Sequence, residues 1–195
     1  MTDYRRVELD RIRISSRGLR IADPRWLSEP NLEGIDMNVP EGVFPVLADV
    51  VSLPEGQVVG AVYVVFDEAR FREAEMGRRC EKLDSVAVES GAIALVDPKE
   101  VAVRPGTLGE QYDTSPTECG WASTSLLNGR GIAVTAGFGA GQYGVWSWYG
   151  SDVAERSHHD IAALGVVTLS ERDPVNGKLA PLHTTHDEPR DARES

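Results

Sequence analysis

The sequence is poor in the residues that build covalent and metal sites. Cysteine occurs only at Cys80 and Cys119, with no C-x-x-C pair and no dense, even spacing, which excludes a disulfide framework and leaves two thiols expected to be reduced. Histidine occurs four times, as His158-His159 and as His183 and His186. Neighbouring residues on a strand point to opposite faces, and the second pair falls in a polar tail, so no metal centre is expected. No apolar run approaches the roughly 18 residues that cross a bilayer. The opening Met1-Thr-Asp-Tyr-Arg-Arg-Val-Glu8 carries charge where a signal peptide would be apolar. These absences predict a cytoplasmic protein without a membrane partner. Cations are also scarce: 20 lysines and arginines face 31 aspartates and glutamates, a formal charge of -11. That balance excludes nucleic acid as a direct ligand, because phosphate backbones are bound by a cationic surplus. It favours a basic protein partner, since opposite net charge speeds association.

What the chain does have is a pattern stated twice. Ile14 to Gly18, then Leu19-Arg-Ile-Ala-Asp23-Pro24, precedes Gly42-Val-Phe44-Pro45-Val46. Val88-Glu-Ser90-Gly91, then Ala92 to Asp97-Pro98, precedes Gly139-Ala-Gly141-Gln-Tyr143-Gly-Val145. Each copy reads as strand, glycine turn, strand, Asp-Pro stop, and then glycine, aromatic and valine. The expectation is an internal duplication of about 12–66 and 86–169, with Gly18 matching Gly91, Asp23 matching Asp97, Phe44 matching Tyr143, and an insertion over 99–130.

Period-two alternation marks the strands. Residues 11–14 and 19–21 alternate, and 43–53 with 58–66 form a hairpin about Pro54-Glu-Gly56-Gln57. Residues 58–66 are apolar on both faces and should be central in their sheet. Residues 1–11 are charged and expected to join the body only partly, and 26–39 reads as loop. Residues 86–96 form strands about Ser90-Gly91, and 131–136, 143–149 and 161–169 are further strands. Phe71, Ala74 and Met76 among charged residues predict a short amphipathic helix near 67–82, and Ser115 and Thr117 can cap a second at about 119–127. The fold class expected is mainly β, an antiparallel β-sandwich of two related β modules with one short amphipathic helix. A single domain should span 1–172, followed by a disordered tail at 173–195.

Gly139-Ala-Gly141-Gln-Tyr-Gly144 has the letters of a dinucleotide fingerprint, but Val145-Trp-Ser-Trp148-Tyr149 is β-prone and opens no helix. A glycine-rich turn is expected, and no cofactor. On a strand Trp146 and Trp148 share one face, and Tyr143, Val145 and Tyr149 the other. The default is that one face fills the core; the sharper reading makes Tyr143, Trp146, Trp148 and Tyr149, with Gly139 and Gly141, a binding surface. Candidates for chemistry are Glu89, Asp97, Cys119, His158 and His159, with no spacing that forces any two together.

Ser90-Gly91, Asp97-Pro98 and Gly139-x-Gly141-x-Tyr143-x-Val145, preceded by Gly42-x-Phe44-Pro45-Val46, resemble the motifs of a bacterial family described only as a domain of unknown function. The likeness covers about residues 14–169. Ala140 stands where that family has aspartate, and Gly144 where it has proline. The resemblance implies no catalytic mechanism, and some relatives occur beside bacterial toxin genes. The resulting expectation is a non-catalytic binding protein, an immunity protein or inhibitor of a basic partner. A small-molecule-binding β domain, or a hydrolase with a site between the two halves, is the alternative.

Overall fold

The computed structural model describes residues 4–27, 34–54, 56–77, 79–103, 121–137, 139–150, 160–168, 170–172 and 179–181. Among these described residues, thirteen strands and two α-helices follow in order: β1 (Tyr4–Ile14), β2 (Gly18–Ala22), β3 (Gly34–Asn38), β4 (Gly42–Leu53), β5 (Gly56–Val65), α1 (Glu68–Met76), β6 (Cys80–Val88), β7 (Ala92–Val96), α2 (Pro98–Val103), β8 (Ser123–Leu126), β9 (Gly131–Thr135), β10 (Gly141–Tyr149), β11 (Ile161–Val167), β12 (Ser170–Arg172) and β13 (Leu179–Pro181). A 3₁₀ turn, Pro24–Trp26, follows β2. One antiparallel sheet has the order β1-β4-β5-β11-β10-β6, and a second has β3-β2-β7-β9-β8. Their inner faces enclose one apolar core that includes Ile12, Ile14, Leu19, Ile21, Val64, Leu95 and Val166. The protein is therefore a mainly β, two-sheet sandwich.

The strand order reads the same from both ends, and the registers repeat that symmetry. Across the middle of the second sheet Ile21 faces Leu95, flanked by Arg20 with Val96 and Ala22 with Ala94. Across the middle of the first, Tyr63 faces Gly165, flanked by Val64 with Leu164 and Val62 with Val166. A pseudo-twofold axis through these two pairs exchanges β1 with β6, β2 with β7, β3 with β9, β4 with β10 and β5 with β11. The irregularities exchange as well. Leu9 is the extra residue where β1 pairs with β4, and Leu83 where β6 pairs with β10. Gly60 is extra in β5, and Ala162 in β11. Such bulges increase local twist, and here each occurs once per half at the same ladder position.

Ile14 pairs with Gly42 and Ile12 with Phe44, as Val88 does with Gly141 and Val86 with Tyr143. Phe44 and Tyr143 thus hold the same place, and so do Asp23 and Asp97, each one residue past its strand. Gly91 matches Arg17 rather than Gly18: both have positive φ, 77° and 54°. Each also offers its carbonyl to the next strand's approach, Arg17 to the Val39 amide and Gly91 to the Ala136 amide. The turn in the first half places an arginine where a left-handed residue is needed, so matching glycine to glycine shifts the alignment by one. α2 answers to the 3₁₀ turn, and β8 has no counterpart among the described residues.

Other differences have local causes. β1 begins at Tyr4, well before the expected start, because its charged residues lie on an edge strand, where charge discourages pairing with another chain. Residues 34–38 form edge strand β3 instead of loop. α1 ends at Gly77, so residues 80–82 belong to β6; Phe71 and Ala74 are buried, but Met76 is 79% exposed. Residues 123–126 are strand, not helix, pairing with β9 through Ser123–Val134. Of the expected tail, residues 173–178 and 182–195 lie outside the described residues, while Leu179–Pro181 pairs with Ser170–Arg172.

Symmetry exposes one misfit. Ser147 is fully buried, its Oγ has no hydrogen-bond partner among the described residues, and its counterpart is Ala48. Ser147→Ala is expected to leave the fold intact and raise the melting temperature by up to about 3 °C, since a buried unmade hydroxyl bond costs about 1 kcal/mol. A fall of several degrees in a thermal melt would show that the hydroxyl is used.

Candidate functional site

Strand β10 keeps the facing expected of it, and both faces are covered. Tyr143, Val145 and Tyr149 pack into the core between the sheets. Trp148 packs on the outer face with Tyr63, Phe71 and Ala74 beneath α1. Its ring lies edge-on to Tyr63 at 5.1 Å and to Phe71 at 5.7 Å. Of the four aromatics only Trp146 is more than marginally accessible. Gly139 has φ 95° in the turn and its carbonyl accepts the Tyr143 hydroxyl at 2.7 Å. Burial raises the Tyr143 pKa, keeping that donor protonated. Gly141 then opens a strand, as expected, so no helix N-terminus faces a pyrophosphate. The aromatic row is a packing element, with Trp146 its only partly exposed ring.

The buried carboxylates are used crosswise. Asp23 caps its own 3₁₀ turn through the Arg25 amide at 2.8 Å. Its other oxygen accepts the amides of Glu89 and Ser90, the turn of the opposite half, at 2.6 and 2.7 Å. Asp97 does the reverse. It accepts the Lys99 amide at 3.0 Å and, from the first half's turn, the Ser15 amide and the Ser15 and Ser16 hydroxyls. Burial alone would raise the Asp97 pKa, but the Ser16 hydroxyl, both Ser15 donors and the Lys99 amide outweigh it, and the net shift is downward. An aspartate before proline commonly serves its own turn. Each of these also holds the other half's turn.

A second polar cluster, not anticipated, sits on the outer face. Arg6 forks onto Asp49 at 2.7 and 2.9 Å and onto Glu75 of α1 at 2.8 Å on both nitrogens. The Tyr63 hydroxyl donates to Asp49 at 2.7 Å. The guanidinium also lies 4.9 Å from the Tyr63 ring centre and 5.2 Å from that of Phe71. Burial opposes the Arg6 charge, but the bonds to Glu75 and Asp49 prevail and hold it protonated. Burial first, and Asp49 next, push the Tyr63 pKa well upward, so it stays a donor. A lone aspartate inside the apolar run Val46-Leu-Ala-Asp49-Val-Val51 is the sequence signal that could have found this cluster.

Two open grooves lie where the sheets' edges meet. One, about 470 Å³, is lined by Arg11, Arg13, Val43, Glu100, Asn128 and Arg130 among others. The other, about 300 Å³, is lined by Gly34, Asp84, Ser85, Ala87 and Gln142 among others. Among the described residues, neither is lined by those first singled out. Cys119, His158 and His159, like His183 and His186, lie outside the described residues, and no group of three His, Cys, Asp or Glu able to hold a metal occurs among those described. No helix among them is long and apolar enough to cross a membrane. No family model, curated protein or solved structure matches the chain.

Proposed function

We propose that the chain is a non-catalytic binding protein that recognises a basic partner protein through its acidic surface. The observation that carries this reading is the fate of the buried carboxylates. Asp23, Asp49 and Asp97 are buried, and each is committed to backbone turns or to Arg6. A catalytic acid or base must face a cavity and exchange a proton with something in it. These three face the protein. The acidic excess is left to solvent, where it speeds encounter with a cationic partner and makes association salt-sensitive. An immunity protein or inhibitor is the form of this reading that the family resemblance supports.

The hydrolase alternative required a site between the halves. Two continuous ladders, at Ile21–Leu95 and Tyr63–Gly165, join the halves directly, and the two grooves lined by residues of both halves include, among the described residues, neither Glu89 nor Asp97. Cross-linking in cells that express the chain is expected to recover a basic protein whose association weakens about tenfold or more as salt rises from about 50 to 200 mM. A neutral or acidic partner, or a salt-insensitive complex, would overturn the reading. So would a turnover that Asp97→Asn abolishes with the fold intact.

A further inference from the structure

The two grooves are the same place in the two halves. Arg11 exchanges with Ser85 and Arg13 with Ala87 in the ladders, and Val43 exchanges with Gln142. Among the described residues, one copy is lined by three arginines and the other by none. We propose that the groove lined by Arg11, Arg13 and Arg130 binds the phosphate group of a small phosphorylated ligand. This goes beyond the partner-binding reading and does not depend on it.

Ile12 and Ile14 point into the core, so Arg11 and Arg13 share the outward face, about 7 Å apart along β1. Both are exposed, and neither side chain has a hydrogen-bond or salt-bridge partner among the described residues. Arg130 approaches from the turn after β8. It donates to Ser15 Oγ at 2.9 Å and pairs with Glu100 at 3.2 Å, which fixes its fork at the groove wall. Glu100 is the one carboxylate among the described lining residues, against three arginines, in a chain of formal charge -11. Val43, half exposed and paired with Arg13, supplies an apolar patch beside the charges.

Edge protection does not explain the arrangement. β6 is the opposite edge of the same sheet and carries both signs, with Glu81, Lys82 and Asp84. A charged edge therefore needs no arginine pair facing a groove. Three guanidinium forks also offer more donors than the two oxygens of one carboxylate can accept, whereas a phosphate dianion presents three. The volume suits a small molecule, in the range of ordinary ligand pockets.

The test is titration of the full chain with inorganic phosphate at about pH 8, where it is a dianion, at constant ionic strength and with ¹⁵N-labelled arginine side chains observed. Saturable shifts at Arg11, Arg13 and Arg130 are expected. Arg11→Ala with Arg13→Ala should weaken binding at least about tenfold with an unchanged melting temperature, because charge-assisted bonds are lost at exposed sites. Gln142→Ala in the other groove should change nothing, and acetate should bind at least about tenfold more weakly. Should the double variant unfold, Arg13→Gln alone carries the same direction of effect. Shifts that never saturate, acetate binding as tightly as phosphate, or arginine variants that bind normally would each overturn the proposal.

Discussion

Asp97→Ala is expected to lower stability by about 3 kcal/mol, a fall in melting temperature of about 6–12 °C. The carboxylate is fully buried and accepts four hydrogen bonds, from Lys99 on its own side and Ser15 and Ser16 across the axis. Its removal uncaps α2 and releases the turn between β1 and β2 together, so the loss exceeds that of a helix cap alone. A pH dependence follows from the lowered pKa. In the folded chain Asp97 stays ionised below its ordinary value of 3.8, whereas the unfolded chain takes up its proton near that value. The stability it contributes is therefore fully present above the unfolded pKa and is lost as the pH falls through the lowered, folded one. Denaturant melts between about pH 6 and pH 3 should show this acid loss in the parent and a flatter profile in Asp97→Asn. An Asp97→Ala protein that melts within a degree of the parent would refute the crosswise cap as a stabilising element.

Arg6→Ala should be of comparable size, about 3 kcal/mol, at the low end for a broken buried ion pair because the arginine side chain is 27% exposed. It removes both charged bonds to Asp49, whose side chain is only 1% exposed. It also removes the paired bonds that tie Glu75 of α1 to β1. The contrast that identifies the cause is a triple change, Arg6→Met, Asp49→Leu and Glu75→Gln. It is expected to recover much of the loss, short by about 1 kcal/mol for the Tyr63 hydroxyl left without its acceptor, since apolar packing can replace a buried ion cluster without stranding a charge. Equal destabilisation in the single and triple variants would mean that the cluster stabilises through shape rather than charge.

The site reading was partly legible. The Asp-Pro repeat pointed to Asp23 and Asp97 as equivalent structural residues, and their partners in the opposite turn were hidden. Glu89, Ser90, Ser15 and Ser16 are distant in sequence from the carboxylates they bind, and no short motif links them. Arg11-Ile-Arg13-Ile14 showed its alternation plainly, but the groove in front of the arginines needs the turn ending at Arg130, brought close when the Arg13 amide bonds Gly129 at 2.8 Å. The surroundings of the aromatic row were hidden for a related reason. Alternation sorted Trp146 and Trp148 onto one face, yet a strand cannot announce that α1 will cover the outer side of its sheet.

The sequence alone determined what depends on neighbours in the chain. It specified strands through period-two patterning, their ends through Asp-Pro, the hairpin at Pro54 to Gln57, and α1 through its spaced apolar residues. These follow from backbone sterics and side-chain direction, which act over a few residues. Tertiary structure decided the rest: which edge strands exist, which face of β10 is doubly covered, that Arg17 and not Gly18 answers to Gly91, and which groove is cationic. Each depends on pairings between residues far apart in the chain. Their free energies arise only once the two sheets close on one core, where burial makes every unpaired polar group costly.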